Sequence, residues 1–529
     1  MIQAGLIVII AWGALAFGAV YPWAYTPLLV ACAGVGVTGL AWGRRDHVSS
    51  ANRAALMALL LVGAAGLAQI VALPTAVLEV ISPSTDAFLQ RYDIGYAVHA
   101  LPHPLSIEPA ATRRGLIFLA VFGLFFAGLL KVFARTGVRR LVAPLAAFGA
   151  VLALIAIIQK QILGDHAYMG MKIYGFWTPE SRLVVPYGPY VNRNHFAGWM
   201  VMAIPVALGY LSSFFDAGTR TPMSHWRTRV LWLSSPDGGK SLLIGCSIIL
   251  MTLSVGMSMS RSGMACLAVA ALLVGWRVLV TLPSRRARMT GAAVVMLLLV
   301  LPAAWLGVDS TIDRFSSDAV GSVDTRVRAW RDAVSLIRDF PLTGTGLNTF
   351  GTAMVLYQTG SRGVHFEQAH NDFLQLLAEG GALIMLPVLV FTGLAVRAVR
   401  SHLARAEDPA TSWIRFGAIA GIVGIGLQSL VEFSLQMPGN AAFFVVILAV
   451  AMHKRVRRSQ NSGRPRDLPT PAGVPVVAGT PSLPKDTTGA KSASAAEDSH
   501  TGRPFTVTQA CAPTVSLCRR IPITSSGPG

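Results

Sequence analysis

The sequence predicts an all-α polytopic integral membrane protein with about twelve transmembrane helices. Three observations carry that expectation. Of 529 residues, 53% are hydrophobic. Only 13% are charged, about half the roughly 25% of a soluble globular protein. Apolar stretches of roughly 20 residues, the length that crosses a bilayer, recur along the chain. With a mean hydropathy of +0.56, this composition excludes an ordinary soluble enzyme, a disordered chain and a nucleic-acid binder.

The candidate spans lie near 2–20, 25–42, 54–74, 114–134, 141–163, 196–215, 241–259, 263–281, 289–308, 371–396, 414–433 and 438–453. Several carry Gly or Pro, which membrane helices tolerate. The first has no charged flank before it and no cleavage site after it, and reads as a retained span rather than a signal peptide.

Basic residues set the orientation. The chain holds 44 Lys+Arg against 25 Asp+Glu, formally +19. They recur in every second loop: Arg44, Arg45 and Arg53; Lys131, Arg135, Arg139 and Arg140; Arg220, Arg227, Arg229 and Lys240. Arg277, Arg285, Arg286 and Arg288 follow, then Arg397, Arg400, Arg405 and Arg415, and Lys454, Arg455, Arg457 and Arg458 close the last span. The positive-inside rule places these loops and both termini in the cytoplasm.

The opposite face then has sizeable loops near 75–113, 164–195 and 309–370. In the last, Val323, Val327, Trp330, Val334 and Ile337 recur at helical spacing as an apolar stripe, with Arg328, Arg331 and Arg338 on another face. A helix covering the bundle with a solvated basic side explains this as well as a substrate role does. Residues 1–458 read as one membrane-embedded unit. Beyond it, 459–529 is rich in Pro, Ser, Thr, Gly and Ala and reads as a disordered cytoplasmic tail. Cys32, Cys246 and Cys266 lie in apolar runs and read as small buried hydrophobes; Cys511 and Cys518 sit in the tail.

Polar residues at membrane depth are costly and therefore candidates for function. Four groups fall on the outer face. Asn192, Arg193, Asn194 and His195 sit at a loop-to-span junction, where the N–H groups of a helix start favour anions. A cap needs one such residue, and here there are four. Ser260-Arg261-Ser262-Gly263 divides two apolar stretches on the non-basic side, so Arg261 is not needed for orientation. Its guanidinium suits bidentate phosphate binding, with snorkelling to the interface as the simpler reading. Asp324-Thr325-Arg326 and Trp330 precede Pro341-Leu342-Thr343-Gly344-Thr345-Gly346-Leu347-Asn348-Thr349-Phe350, whose glycines fit neither a Walker loop nor a dinucleotide fingerprint. Finally, His370-Asn371-Asp372 opens a span, and Asp372, Gln375 and Glu379 share one helix face. His370 at its mouth can take a proton from an attacking hydroxyl, or can be a structural histidine bonded to a nearby carboxylate.

The runs VNRNHFAGWM, SRSG, DTRVRAW…PLTGTGLNTF and HNDFLQLLAEGG resemble the O-antigen ligase/polymerase family of bacterial envelope glycosyltransferases, over roughly 180–440. The resemblance implies a GT-C-like enzyme of the bacterial inner membrane with a periplasm-facing site. It implies an undecaprenyl-diphosphate-linked glycan as donor, and neither a cofactor nor a metal. By the resemblance Arg261 holds the diphosphate, His370 is the catalytic histidine, and Arg326 and, less closely, Arg193 match basic positions. Asn192, Asn194, His195, Asn371, Asp372 and Glu379 complete the expected substrate-binding set, with Asp372 or Glu379 available to orient His370. The acceptor is open: lipid A–core for a ligase, a second lipid-linked repeat for a polymerase, a protein for an O-oligosaccharyltransferase. A transporter is the alternative of a different class; transporters place polar breaks near the midplane, whereas here they gather at outer span ends.

Overall fold

A computed structural model of the chain describes residues 2–42, 48–99, 101–163, 172–179, 185–215, 226–282, 284–285, 288–289, 326–359, 365–404 and 408–454. Among the described residues the protein is helical, with only isolated β-bridges. Among the described residues, nine helices are long and apolar enough to cross a membrane. They are α2 (Pro22–Trp42), α3 (Ser50–Ala68), α7 (Pro109–Thr136), α8 (Arg139–Leu163), α9 (Arg193–Ser213), α11 (Pro236–Met257), α12 (Arg261–Thr281), α15 (Asp372–Leu403) and α16 (Pro409–Gln428). Two shorter apolar helices, α1 (Ile2–Leu15) and α17 (Pro438–Met452), occupy the places of the first and last expected spans. The stretch 289–308 lies outside the described residues but for its first, as does the tail 459–529.

Three short helices, α4 (Thr75–Ile81), α5 (Pro83–Tyr92) and α6 (Ile94–His99), fill the loop expected over 75–113. Short helices also occur at α10 (Trp226–Leu233), α13 (326–339) and α14 (Phe350–Tyr357).

At the centre stands α9. Every residue from His195 to Ala207 is buried, as a stretch that is apolar all round beyond His195 requires. It packs against α8, α11, α12, α16 and α17. One end of the bundle is tied by basic side chains. Lys131 Nζ donates to the Leu40 carbonyl at 3.2 Å, and Arg277 donates to Ser412 Oγ at 2.7 Å while lying over Trp413. Arg415 departs from the loop position its charge suggests. It is fully buried, donating to the carbonyls of Ala451 (3.0 Å), His402 (3.4 Å) and His453 (2.6 Å). Those carbonyls end α15 and α17, where orphan acceptors and the helix dipole both favour a cation.

Three expectations need correction. Cys246 is exposed on α11, pointing away from the core, unlike Cys32 and Cys266. The apolar stripe of α13 is rotated from the expected one. Its buried face is Ala329, Ala333 and Leu336, with Phe340 just beyond, and Val334 is exposed. Small alanines let this helix approach its neighbours closely, which a stripe of large residues does not. The span expected to reach 433 stops at Gln428, and Ser429–Gln436 leaves the helix to enter the polar end of the bundle.

Candidate active site

Helix starts meet at the end opposite Arg415. Asn192 caps α9, its Oδ1 accepting from the Asn194 N–H at 2.9 Å. Ser260 caps α12, accepting from Gly263 N–H at 3.3 Å. Asn371 caps α15, accepting from Phe373 (3.1 Å) and Leu374 (3.0 Å). Asn192 and Asn371 are thus committed as caps, for Asn192 the simpler of its two readings. Ser260 Oγ donates to Asn194 Oδ1 at 2.8 Å, so the first turns of α9 and α12 are neighbours.

Arg193 and Arg261 are the first residues of those two helices, and both are half-buried. The dipole at a helix start repels cations. Two arginines at neighbouring helix starts make a place that gains from an anion. The third arginine, Arg326, opens the described part of α13; Asp324 and Thr325 lie outside the described residues.

The hub of the site is a residue absent from the sequence expectations, Glu432. It is fully buried, on the segment that leaves α16. Its Oε1 accepts from Asn194 Nδ2 at 2.6 Å and from the Arg326 guanidinium. Its Oε2 lies 3.6 Å from His370 Nδ1. Neither of those two facing atoms has a hydrogen-bond partner among the described residues. The carboxylate beside His370 is therefore Glu432, not Asp372 or Glu379. One signal could have found it: between 409 and 454 the sequence has no other acidic residue.

His370 itself has φ +51°, in the left-handed region where a non-glycine residue costs on the order of 1–3 kcal/mol. Met259, just before the Ser260-Arg261 junction, has φ +56°. Phe433 stands between two histidines, its ring edge-on to His195 at 4.6 Å and to His370 at 4.8 Å. His195 is buried, with Nε2 lacking a hydrogen-bond partner among the described residues. Asp372 turns one oxygen to Gln436 Nε2 at 3.0 Å, and its backbone N–H donates to the Ser429 carbonyl at 2.9 Å. The described geometry thus joins Asn194, His195, Arg326, His370 and Asp372 around Glu432, with Arg193 and Arg261 at the neighbouring helix starts.

Glu379 belongs to a second, separate construction. Helix α15 is broken at Gly381, which has φ +54°. The loop 341–349 fills the break: Thr345 N–H donates to Ala378 O (3.1 Å), Gly346 N–H to Glu379 O (2.9 Å), and Ala382 and Leu383 N–H to Pro341 and Leu342 O (both 2.9 Å). Such pairing is what a break in a buried helix needs. Close approach dictates the glycines. A Cβ on Gly344 would stand 2.2 Å from Glu379 O, and one on Gly381 2.5 Å from Gly344 N. Glu379 accepts from the N–H groups of Asn348 (2.7 Å) and Phe350 (3.2 Å) and from Gln375 Nε2 (3.0 Å). Gln69, from α3, bonds the same bracket through Thr343 O and Glu379 O, both at 2.8 Å. The GTG motif is thus a clamp on a broken helix. Gln375, which also donates to Gln436 Oε1 at 3.0 Å, links the clamp to the Glu432 cluster.

No curated protein matches the chain. A family model does, and its span takes in Ser260–Gly263, Arg326, the loop 341–350 and the His370–Gly381 helix start, while Asn194 and Glu432 lie outside it. That stretch, residues 246–389 of a multi-helix membrane protein, matches the O-antigen ligase family.

Proposed function

We propose that the protein is a glycosyltransferase of the bacterial inner membrane that moves a glycan from undecaprenyl diphosphate to an acceptor hydroxyl at the periplasmic face. The observation that carries this is the pairing of Arg193 and Arg261 at adjacent helix starts, beside a histidine that faces a buried carboxylate. The in-phase basic loops support a periplasmic position for this end of the bundle.

The chemistry follows from the arrangement. With the Nδ1 proton of His370 directed at Glu432, Nε2 carries the lone pair and serves as base. The acceptor oxygen attacks the anomeric carbon, its proton passes to Nε2, and the bond from that carbon to the phosphate oxygen breaks. Negative charge then grows on the diphosphate. Arg261 and Arg193, with the N–H groups of two helix starts, stabilise that charge where it develops. Arg326 is ion-paired with Glu432 within the same cluster and holds that carboxylate in place.

We put first a ligase with a lipid A–core acceptor. A lipid-linked repeat as acceptor, making a polymerase, or a protein acceptor uses the same chemistry. Transport is the reading of a different class. Reconstituted transfer in detergent, without vesicles, from a lipid-diphosphate glycan to each acceptor tests all of them. Transfer to one acceptor names the enzyme and excludes pure transport. Arg261→Ala is expected to abolish transfer while the protein still inserts; near-normal transfer by that variant sinks the assignment.

A further inference from the structure

We propose that the aromatic rim formed by Phe17, Tyr21, Trp23, Tyr174, Phe176 and Trp177 is a glycan-binding platform. It would hold sugar rings of the polysaccharide beyond the one that reacts. The inference rests on the transferase reading for the identity of its ligand, a chain of pyranose rings.

The rim is assembled from two distant segments, the turn between α1 and α2 and the stretch 172–179. Phe17 and Trp177 stack at 5.0 Å and 29°, Tyr21 and Trp23 lie parallel within 6° at 6.3 Å, and Tyr174 and Phe176 stack at 6.1 Å and 21°. Edge-on contacts between Tyr21 and Trp177 (5.2 Å) and between Phe17 and Tyr174 (5.7 Å) lock these pairs together. The outer members offer their surfaces: Trp23 is 48% exposed and Phe176 69%.

Polar edges fix the rings further. Trp177 Nε1 donates to Tyr21 Oη at 3.1 Å, which leaves the Tyr21 hydroxyl proton for a ligand oxygen. Tyr174 Oη donates to the Leu15 carbonyl at 2.7 Å, and burial pushes its phenol up to about 12, so it stays a donor.

Backbone strain separates this rim from an ordinary belt of interfacial Trp and Tyr. Six described non-glycine residues have positive φ, and three of them are here: Phe17 (+59°), Ala19 (+56°) and Tyr174 (+56°). Anchoring rings in headgroups needs no strained backbone, whereas holding a fixed array of rings for a ligand does. The rim also shares an end with the reacting cluster. A Cβ on Gly18 would stand 3.1 Å from the Tyr190 ring; Tyr190 Oη donates to Asn440 Oδ1 at 3.0 Å, and Asn440 Nδ2 donates to His195 O at 3.0 Å. The chemistry of a sugar suits it. The C–H face of a pyranose is apolar with partly positive hydrogens, and it meets the negative face of an aromatic ring.

The test uses the full chain in detergent. The probe is the host strain's own surface polysaccharide, released by mild acid and fractionated into single-repeat and multi-repeat glycans. Saturation-transfer NMR is expected to show transfer from the protein to pyranose C–H protons. Trp23→Ala with Phe176→Ala is expected to weaken multi-repeat binding by about tenfold, and Trp23→Tyr to restore much of it. In transfer assays the double variant is expected to raise KM for multi-repeat donors more than for single-repeat donors. No saturation transfer to the wild type, or a variant that binds all lengths as the wild type does, overturns the proposal. So does an equal loss at all lengths with less protein in the membrane, which marks a plain anchor. Binding is read without catalysis, so the two readings fail separately. Trp23-dependent binding without transfer sinks the enzyme reading alone; transfer without Trp23-dependent binding sinks the platform alone.

Discussion

Glu432 and Glu379 are both buried carboxylates at the same end of the bundle, and they are held in opposite ways. Glu379 is saturated: two backbone N–H groups and Gln375 fill its oxygens, and its own carbonyl is taken by Gly346 and Gln69. Glu432 spends one oxygen on Asn194 and Arg326 and turns the other, unbonded among the described residues, to His370. A saturated buried carboxylate holds a shape. One with an unbonded oxygen facing a strained histidine is arranged for protons and charge to move.

That contrast can be broken in four places. The largest effect is expected at His370→Ala, which should lower transfer by about 10²–10⁴-fold in a reconstituted assay. Its melting temperature should fall only modestly, since alanine keeps the left-handed backbone and loses the ring contact with Phe433. A transfer rate near that of the wild type removes His370 from the chemistry. Next is Glu379→Ala. It strands the Asn348 and Phe350 N–H groups at about 1–3 kcal/mol each, so thermal unfolding in detergent should fall clearly while transfer per folded molecule survives. The reverse outcome, a stable but inactive protein, would make Glu379 part of the reacting cluster after all.

Gly344→Ala should act like Glu379→Ala and more weakly than a loss of the whole bracket, at about 1–3 kcal/mol of stability, because it forces a Cβ into the left-handed region against Glu379 O. The smallest expected effect is Glu432→Gln. It keeps shape and the Asn194 contact but removes the charge, and should slow transfer by at least about tenfold, or 1.4 kcal/mol of barrier. A Glu432→Gln protein that loses stability as Glu379→Ala does, and not rate, would erase the distinction between the two glutamates.

Much of this was legible in the sequence, and for identifiable reasons. Apolar length located eleven helices, because burying or lipidating an apolar run leaves few alternatives. The cap at Asn192 was readable as a polar residue before an apolar run, whereas Ser260 and Asn371 carried no cap reading. What the sequence hid were long-range and geometric facts. Pairing Asn194 with Glu432 joins residues on α9 and after α16, and no local pattern encodes that. The early end of α16 was hidden because Leu430 and Val431 are as apolar as a span interior. The break in α15 was signalled only by Gly380-Gly381, and the loop that repairs it by glycines that look like an ordinary turn. On α13 the period was right and the phase was wrong, because alanines rather than valines face inward.

Arg415 carries a consequence for how the chain is made. Among the described residues its guanidinium donates to the carbonyls of His402, Ala451 and His453, so part of its coordination is synthesised after it and arrives with α17. Until then a nascent chain carries an arginine that lacks two of these acceptors, Ala451 O and His453 O, at a depth where an unmatched charge is expensive. Completion of α17 thus acts as a receipt for synthesis of the helical bundle through Met452. A chain cut after Gln428 is expected to be extracted and degraded, and Arg415→Leu in the same truncated chain to linger in the membrane.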